Sequence, residues 1–216
     1  CGSGRTVEIP IELGALGLCA LRQSIGGLPS EMRLDAACAC VSVMREGLWD
    51  ERVQEEGCAL LAELPAVDVW ASGGLDAACA CLRRHVQCED VIVQSFSVLL
   101  KAFKSKQLRG KVDALGCVGA ACKSIRAHLA SECAVSGGIA LLRAASITRT
   151  GALDVDARGI VATLEGAVRR YRHPLAGEAR ELIERVEWAK RQTKPTLLRP
   201  WAHCSGVGAG KAGRAG

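Results

Sequence analysis

Residues 73–100 read GGLDAACACLRRHVQCEDVIVQSFSVLL, and the heptapeptide LDAACAC at Leu75–Cys81 also occurs at Leu34–Cys40. The two copies are 41 residues apart. Weaker copies of the same block begin at Val118 and at Ile160. An identical heptapeptide followed by two weaker copies at a similar distance indicates a repeat array with a period of about 42 residues.

A second block recurs in register with the first. Its central leucines are 40 or 41 residues apart: Leu60, Leu100, Leu141 and Leu182. In the first block, apolar residues fall at positions i, i+3, i+4 and i+7, which is one face of an α-helix. Two such sets are Leu34, Ala37, Cys38, Val41 and Leu75, Ala78, Cys79, Leu82. Because single helices of this length are marginal in water, the repeats must bury each other's apolar faces.

The pattern therefore predicts an all-α solenoid of about four repeats over residues 10–192. Glycines at Gly73-Gly74, Gly116 and Gly159 are expected to mark the entry to one helix of each unit. Asp50 and Asp90 are expected to cap the helices that follow them. A flexible segment, 1–9, and a disordered Gly/Ala-rich basic tail, 193–216, are expected to flank the array.

The composition agrees with this class. The chain has 216 residues, 49% of them hydrophobic and only 3% aromatic, which argues against an all-β fold. No apolar run approaches the ~20 residues of a membrane span. The 12 cysteines lie mostly in apolar helical segments, so we expect reduced thiols and a cytoplasmic or nuclear location. The chain begins with Cys1 rather than Met, so we expect it to be a piece of a longer protein.

At the junction quoted above, the sequence resembles armadillo repeats. The resemblance rests on Gly73-Gly74, on His85, on the acidic pair Glu89-Asp90, and on Val93-Gln94. It covers roughly residues 10–190 and implies a right-handed superhelix of three-helix units whose third helices line a groove. It also implies a binding scaffold that is not an enzyme. The segment that should form one second helix, Pro65–Ser72, is short, and the chain has no Asn for a peptide clamp of the nuclear-import type.

When the expected third helices are aligned, basic residues recur at the same positions. Arg83, Arg126 and Arg169 recur every 43 residues, and Arg84 and Arg170 accompany two of them. His85, His128 and Tyr171 recur with the same spacing. In the N-terminal unit the aligned residues are Ser42 and Met44. We predict that these arginines and the two histidines contact an acidic peptide or protein surface. The alternative is that the arginines only complement the dipoles of their helices.

Charge is divided unevenly between the two halves. Residues 1–100 contain 7 basic and 14 acidic residues, whereas residues 101–216 contain 21 and 9. The C-terminal half therefore carries a net charge of +12, which favours an anionic partner. Nonspecific nucleic-acid or other polyanion binding is the alternative function. Open ends of a solenoid could also pair with a second copy of the chain.

The sequence does not favour a metal site, a catalytic Cys–His pair or a phosphate loop. In a helix, the pairs Cys38/Cys40 and Cys79/Cys81 point about 200° apart, so neither pair chelates one metal ion. Cys81, His85 and Cys88 could share a face, but no other unit repeats them. No Cys–His pair has an orienting third group. The GVGAGK of the tail lacks the Ser or Thr and the preceding strand of a phosphate loop. We therefore expect no cofactor, no metal and no catalytic residue.

Overall fold

The computed structural model describes residues 11–193, and over this range the chain forms helices joined by turns and loops, with no strand. Its α-helices, in chain order, are α1 (Ile11–Ser24), α2 (Ser30–Glu46), α3 (Glu51–Glu63), α4 (Ala66–Ala71), α5 (Gly74–Arg84), α6 (Glu89–Lys104), α7 (Arg109–Ala114), α8 (Cys117–Ala127), α9 (Glu132–Ala145), α10 (Arg149–Ala157), α11 (Val161–Arg170) and α12 (Leu175–Thr193). A single 3₁₀ turn, Ile25–Gly27, separates α1 from α2. The predicted all-α class is confirmed.

From α3 to α9 the helices follow an order of long, short and long, whereas α10, with 9 residues, is nearly as long as α11, with 10. The first helices α3, α6, α9 and α12 pack in series, and α1 packs against α3. The third helices α2, α5 and α8 also pack in series, while the short helices α4, α7 and α10 connect the two layers. Because these helices pack against their counterparts in the adjacent units, the arrangement is compatible with an α-solenoid. The short second helix predicted within residues 65–72 is α4, which has six residues.

Side-chain caps fix the starts of several helices. The carboxylate of Asp50 accepts a hydrogen bond from the Val53 amide at 2.9 Å. The hydroxyl of Ser131 accepts one from the Ala134 amide at 3.1 Å. The expectation for Asp90 is wrong, because α6 begins at Glu89 and Asp90 lies in its first turn. There, its charge complements the helix dipole instead of capping an amide.

Three glycines separate the short helices from the third helices. Gly73, Gly116 and Gly159 have φ values of 79°, 65° and 62°, a left-handed conformation that residues with a Cβ rarely adopt. They lie 43 residues apart and directly precede α5, α8 and the cap residue of α11. The predicted punctuation is thus confirmed, and its cause is the reversal of the chain between two helices.

Small residues allow the first helices to approach the third helices closely. A Cβ on Gly57 of α3 would lie 2.5 Å from Met44 Cγ of α2, and one on Gly138 of α9 would lie 2.4 Å from Ile125 Cγ1 of α8. Ser95 occupies the intermediate position on α6 and is fully buried. These contacts lie within one continuous apolar core that runs from α1 to α12.

The two copies of LDAACAC do not occupy equivalent places. In α5, Leu75, Ala78, Cys79 and Leu82 are all buried, as predicted. In α2, Ala37 and Val41 are buried but Leu34 and Cys38 are exposed, so that part of the prediction is wrong. The copy in α2 ends six residues before the end of its helix, whereas the copy in α5 ends three residues before. The heptapeptide is thus displaced by about one helical turn between the units.

The expected flexible segment, 1–9, lies outside the described residues, and so does the tail beyond residue 193. Among the helices of residues 11–193, none combines the length and apolar character that a membrane crossing requires.

Candidate functional site

An arginine occupies the last position but one of each third helix. We call Arg45, Arg83, Arg126 and Arg169 the arginine row, and all four are exposed. Arg45 was not predicted, because the heptapeptide alignment placed Ser42 and Met44 at the equivalent positions. Alignment of the helix ends, rather than of the identical residues, would have found it.

Two members of the row reach across to the next unit. Arg83 Nη1 donates a hydrogen bond to the Leu115 carbonyl at 3.3 Å, and Arg126 Nη2 donates one to the Arg158 carbonyl. Both carbonyls directly precede a left-handed glycine. Each arginine therefore complements the C-terminal end of a short helix in the following unit. These bonds hold each guanidinium in place and use one N–H of the five that it carries.

Arg169 lies free at the end of the row. Its side chain is exposed on α11, and none of residues 11–193 forms a hydrogen bond or ion pair with it. The arginine row thus combines two anchored guanidinium groups, those of Arg83 and Arg126, with two that form no hydrogen bond or ion pair within residues 11–193, those of Arg45 and Arg169.

His85, His128 and Tyr171 form a second periodic set. His85 Nε2 lies 3.1 Å from the Leu48 carbonyl, and His128 Nε2 lies 2.8 Å from the Val86 carbonyl. The Tyr171 hydroxyl donates to the Leu129 carbonyl at 2.8 Å. Each acceptor lies just beyond the preceding third helix. The set therefore links successive units, and His85 is only 7% exposed.

The accompanying arginines stack on aromatic rings. The Arg84 guanidinium lies 5.1 Å from the centroid of the Trp49 ring, and the Arg170 guanidinium lies 6.0 Å from that of Tyr171. Trp49 is 76% exposed, so Arg84 and Trp49 together present an accessible cationic and aromatic surface.

A cleft of about 490 Å³ lies between α5 and α8, and we call it the α5–α8 cleft. Four cations line it, and none of its lining residues is acidic: Arg83, Lys123, Arg126 and Arg158. Its floor includes Gly119 and Ala120. Arg158 pairs with Asp154 at 3.2 Å outside the lining, whereas Lys123 forms no ion pair with any described residue. The structure thus brings together two predicted residues, Arg83 and Arg126, with two that sequence reasoning missed.

Six of the cysteines described in the structure are buried in the core. Cys81 Sγ lies 3.0 Å from Gln54 Oε1 and 3.7 Å from Cys58 Sγ, while the ring of His85 is directed at Leu48. Cys81, His85 and Cys88 therefore do not converge on one point. Within residues 11–193, no group of three or more Cys, His, Asp or Glu residues is arranged to hold a metal ion.

Burial raises the pKa of two core thiols, those of Cys122 and Cys40. It raises the pKa of the Cys122 thiol to about 11, although the nearby Arg126 and Arg158 oppose this shift. Burial, together with the neighbouring Cys58, raises the pKa of Cys40 as well. Since the thiolate is the reactive form of cysteine, these two residues are suited to packing rather than to nucleophilic chemistry.

Comparison with known proteins gives no match to a family model, to a curated protein or to a solved structure.

Proposed function

We propose that the chain is a protein-interaction scaffold that binds an acidic peptide or protein surface along its third helices. The observation that carries this proposal is the arginine row, one exposed guanidinium at the same position of each third helix. Packed helices lie about 8–10 Å apart, and an extended chain rises about 3.3 Å per residue. An acidic residue at about every third position of an extended segment would therefore meet successive arginines.

The finer architecture is part of the same proposal. We take the units to form a right-handed superhelix of armadillo type. The long, short and long order of helices and the serial packing of first helices support this assignment. The left-handed glycines before α5, α8 and α11 support it as well. In such an array the third helices share one face, which would place the arginine row along a groove.

Binding of a polyanion is the second candidate, and the net charge of +12 in residues 101–216 favours it. However, residues 194–216 supply four of those positive charges. Several others are compensated within the fold. Arg143 pairs with Glu178 and Glu181, and Lys190 pairs with Asp156. The surface charge is therefore less continuous than the composition implies, which favours a discrete acidic partner.

The experiment compares binding of an extended Glu-rich peptide to the wild-type chain and to the double variant Arg126→Gln/Arg169→Gln. Glutamine removes the charge but keeps an N–H donor that can serve the carbonyl at Arg158. The control is Arg180→Gln/Arg191→Gln on α12, which removes the same charge from two exposed residues outside the row. Fluorescence anisotropy with a labelled peptide gives the affinities.

We expect the row variant to bind the peptide at least tenfold more weakly, since each lost charge-assisted contact costs about 1 kcal/mol or more. The control should bind within about twofold of wild type. Equal losses in both variants, with a stronger response to an RNA oligonucleotide and a steep salt dependence, would instead support the polyanion function.

The remaining proposals concern location and assembly. Reduced, buried thiols are consistent with a cytoplasmic or nuclear protein. Large apolar side chains are exposed on α1 and α2, and they could join two copies of the chain: Leu13, Leu16, Met32 and Leu34. Sedimentation at increasing concentration tests this self-association.

A further inference from the structure

The α5–α8 cleft has a smaller counterpart one unit earlier. A cleft of about 200 Å³ lies between α2 and α5, and its lining includes Arg45, Asp76 and Ala80. These residues occupy the same places as Arg83, Gly119 and Lys123 of the α5–α8 cleft, counted from the ends of their helices. The molecule thus contains two versions of one site that differ at defined positions.

The differences between the two clefts all make the α5–α8 cleft more positive. The earlier cleft has one arginine and one carboxylate among its lining residues. In the α5–α8 cleft, glycine replaces that aspartate and lysine replaces the alanine. Arg126 and Arg158 add two further guanidinium groups. The later cleft therefore lacks an internal anion and gathers four cations around the space where one would lie.

The guanidinium of Arg158 lies against Gly119, since a Cβ there would be 3.4 Å from its Cζ and Nη1. An anion that enters the α5–α8 cleft beside Gly119 would therefore contact that guanidinium. The hydrogen bonds of Arg83 and Arg126 to backbone carbonyls hold their side chains at the rim. Preorganised cations lose less conformational entropy when they bind an anion.

We infer that the α5–α8 cleft takes a phosphomonoester, supplied by a phosphorylated Ser or Thr in the acidic segment that the third helices bind. This inference rests on the proposed function and adds a chemical requirement to it. A phosphomonoester carries a charge of about −1.5 to −2 and three acceptor oxygens, whereas a carboxylate carries −1 and two oxygens. Four converging cations match the former better.

A nucleic acid fits the cleft less well. Its phosphodiesters recur along the strand and carry one charge each, so it would need similar cation clusters in successive units. The lysine of the cluster has no counterpart, since the residue at the place of Lys123 is Ala80 in α5 and Gly166 in α11. A cation cluster confined to one cleft favours a single, highly charged group.

The test uses three Glu-rich peptides that differ at one central position, which is Ser, phosphoserine or Glu. The first variant is Gly119→Asp, which gives the α5–α8 cleft the carboxylate that Asp76 provides one unit earlier. Its control is Gly17→Asp, the same change at an exposed, unobstructed position of α1. The second variant is Lys123→Ala, with Lys104→Ala on α6 as its control.

We expect phosphorylation to strengthen peptide binding to the wild-type chain by about tenfold or more, and by more than substitution with Glu does. Gly119→Asp should remove this gain, Lys123→Ala should reduce it, and both controls should retain it. Circular dichroism and thermal unfolding check that each variant is folded.

Two outcomes would overturn the inference while the proposed function stands. In one, all three peptides bind the wild-type chain equally well. In the other, phosphorylation strengthens binding equally in Gly119→Asp and Gly17→Asp, which would place the phosphate outside the cleft. If none of the three peptides binds, the proposed function itself fails. Stronger binding of an RNA oligonucleotide that is lost in Gly119→Asp would assign the cleft to phosphodiesters and reject the phosphopeptide.

Discussion

His85 illustrates how one residue type can fit two roles in a sequence. Its recurrence with His128 every 43 residues predicted a contact to a partner. The structure shows that the ring is buried and lies 3.1 Å from the Leu48 carbonyl, which belongs to the preceding unit. The contact between successive units therefore explains the 43-residue recurrence of the histidines at least as well as ligand binding does.

Replacement of His85 by Ala should destabilise the fold by about 1–3 kcal/mol, because the Leu48 carbonyl would lose its partner in a buried place. Affinity for a Glu-rich peptide should change less than twofold as long as the variant is folded. Urea unfolding and anisotropy measure the two quantities. A tenfold loss of affinity at unchanged stability would show that His85 contacts the partner.

Gly138 carries a packing constraint that Gly166 of α11 does not share. Gly138→Ala should destabilise the chain by about 1 kcal/mol, because the strain of overpacking against Ile125 exceeds the gain in helix propensity. Gly166 lies on α11 with no atom near the place of a Cβ. Gly166→Ala should therefore stabilise the chain by about 0.5–1 kcal/mol.

Chemical unfolding of both glycine variants gives the comparison. The same gain in helix propensity applies to each, so the difference of about 2 kcal/mol isolates the contact between α8 and α9. Equal effects in the two variants would contradict the close approach of these helices.

The helices themselves could be predicted from the sequence, but the register between units could not. Apolar spacing, the glycines before the third helices and the shortness of α4 all follow from local chemistry. The identical heptapeptides misled the alignment, because burial depends on which neighbour a helix face meets. Leu34 and Leu75 occupy the same position of the heptapeptide, yet only Leu75 is buried.

Lys101 shows how one helix secures the end of another. Its ammonium on α6 donates to the carbonyls of Ala62 at 3.0 Å and Leu64 at 2.6 Å, at the C-terminal end of α3. Burial lowers the pKa of this lysine, while Glu63 opposes the shift. The interaction therefore joins two successive first helices, and neither the period nor the charge pattern of the sequence reveals it.

Lys101→Met keeps most of the aliphatic length but leaves these carbonyls without the ammonium. We expect a loss of about 1–2 kcal/mol in the free energy of unfolding. The control Lys104→Met, on an exposed side chain of the same helix, should change stability by less than about 0.5 kcal/mol. Guanidinium titrations of both variants decide between this cap and an unimportant surface contact.

In the molecule as a whole, the candidate site arises where several elements meet. Arg83 comes from α5, Lys123 and Arg126 come from α8, and Arg158 follows α10. The first and third of these could be predicted because they recur with the repeat. Lys123 and Arg158 do not recur, so only the packing of the units shows that they share a cleft. Arg45 was hidden by the displaced heptapeptide.

The packing of the helices also explains why the net charge alone does not identify the partner. Some cations in the C-terminal part of the helical region are paired with acidic residues of neighbouring helices, as Arg143 is with Glu178 and Glu181 and Lys190 is with Asp156. The cations of residues 11–193 that form no ion pair include Arg45, Arg83, Arg126 and Arg169 of the arginine row and Lys123 of the α5–α8 cleft. Their position on the third helices, rather than their number, supports an acidic peptide as partner.

The most direct test of the central claim is chemical-shift mapping of the isotopically labelled chain during titration with an unphosphorylated Glu-rich peptide. We expect the largest changes at the ends of the third helices, including the side-chain Nε–H groups of Arg83, Arg126 and Arg169. Changes confined to α12 or to residues 194–216, with none on the arginine row, would contradict the central claim.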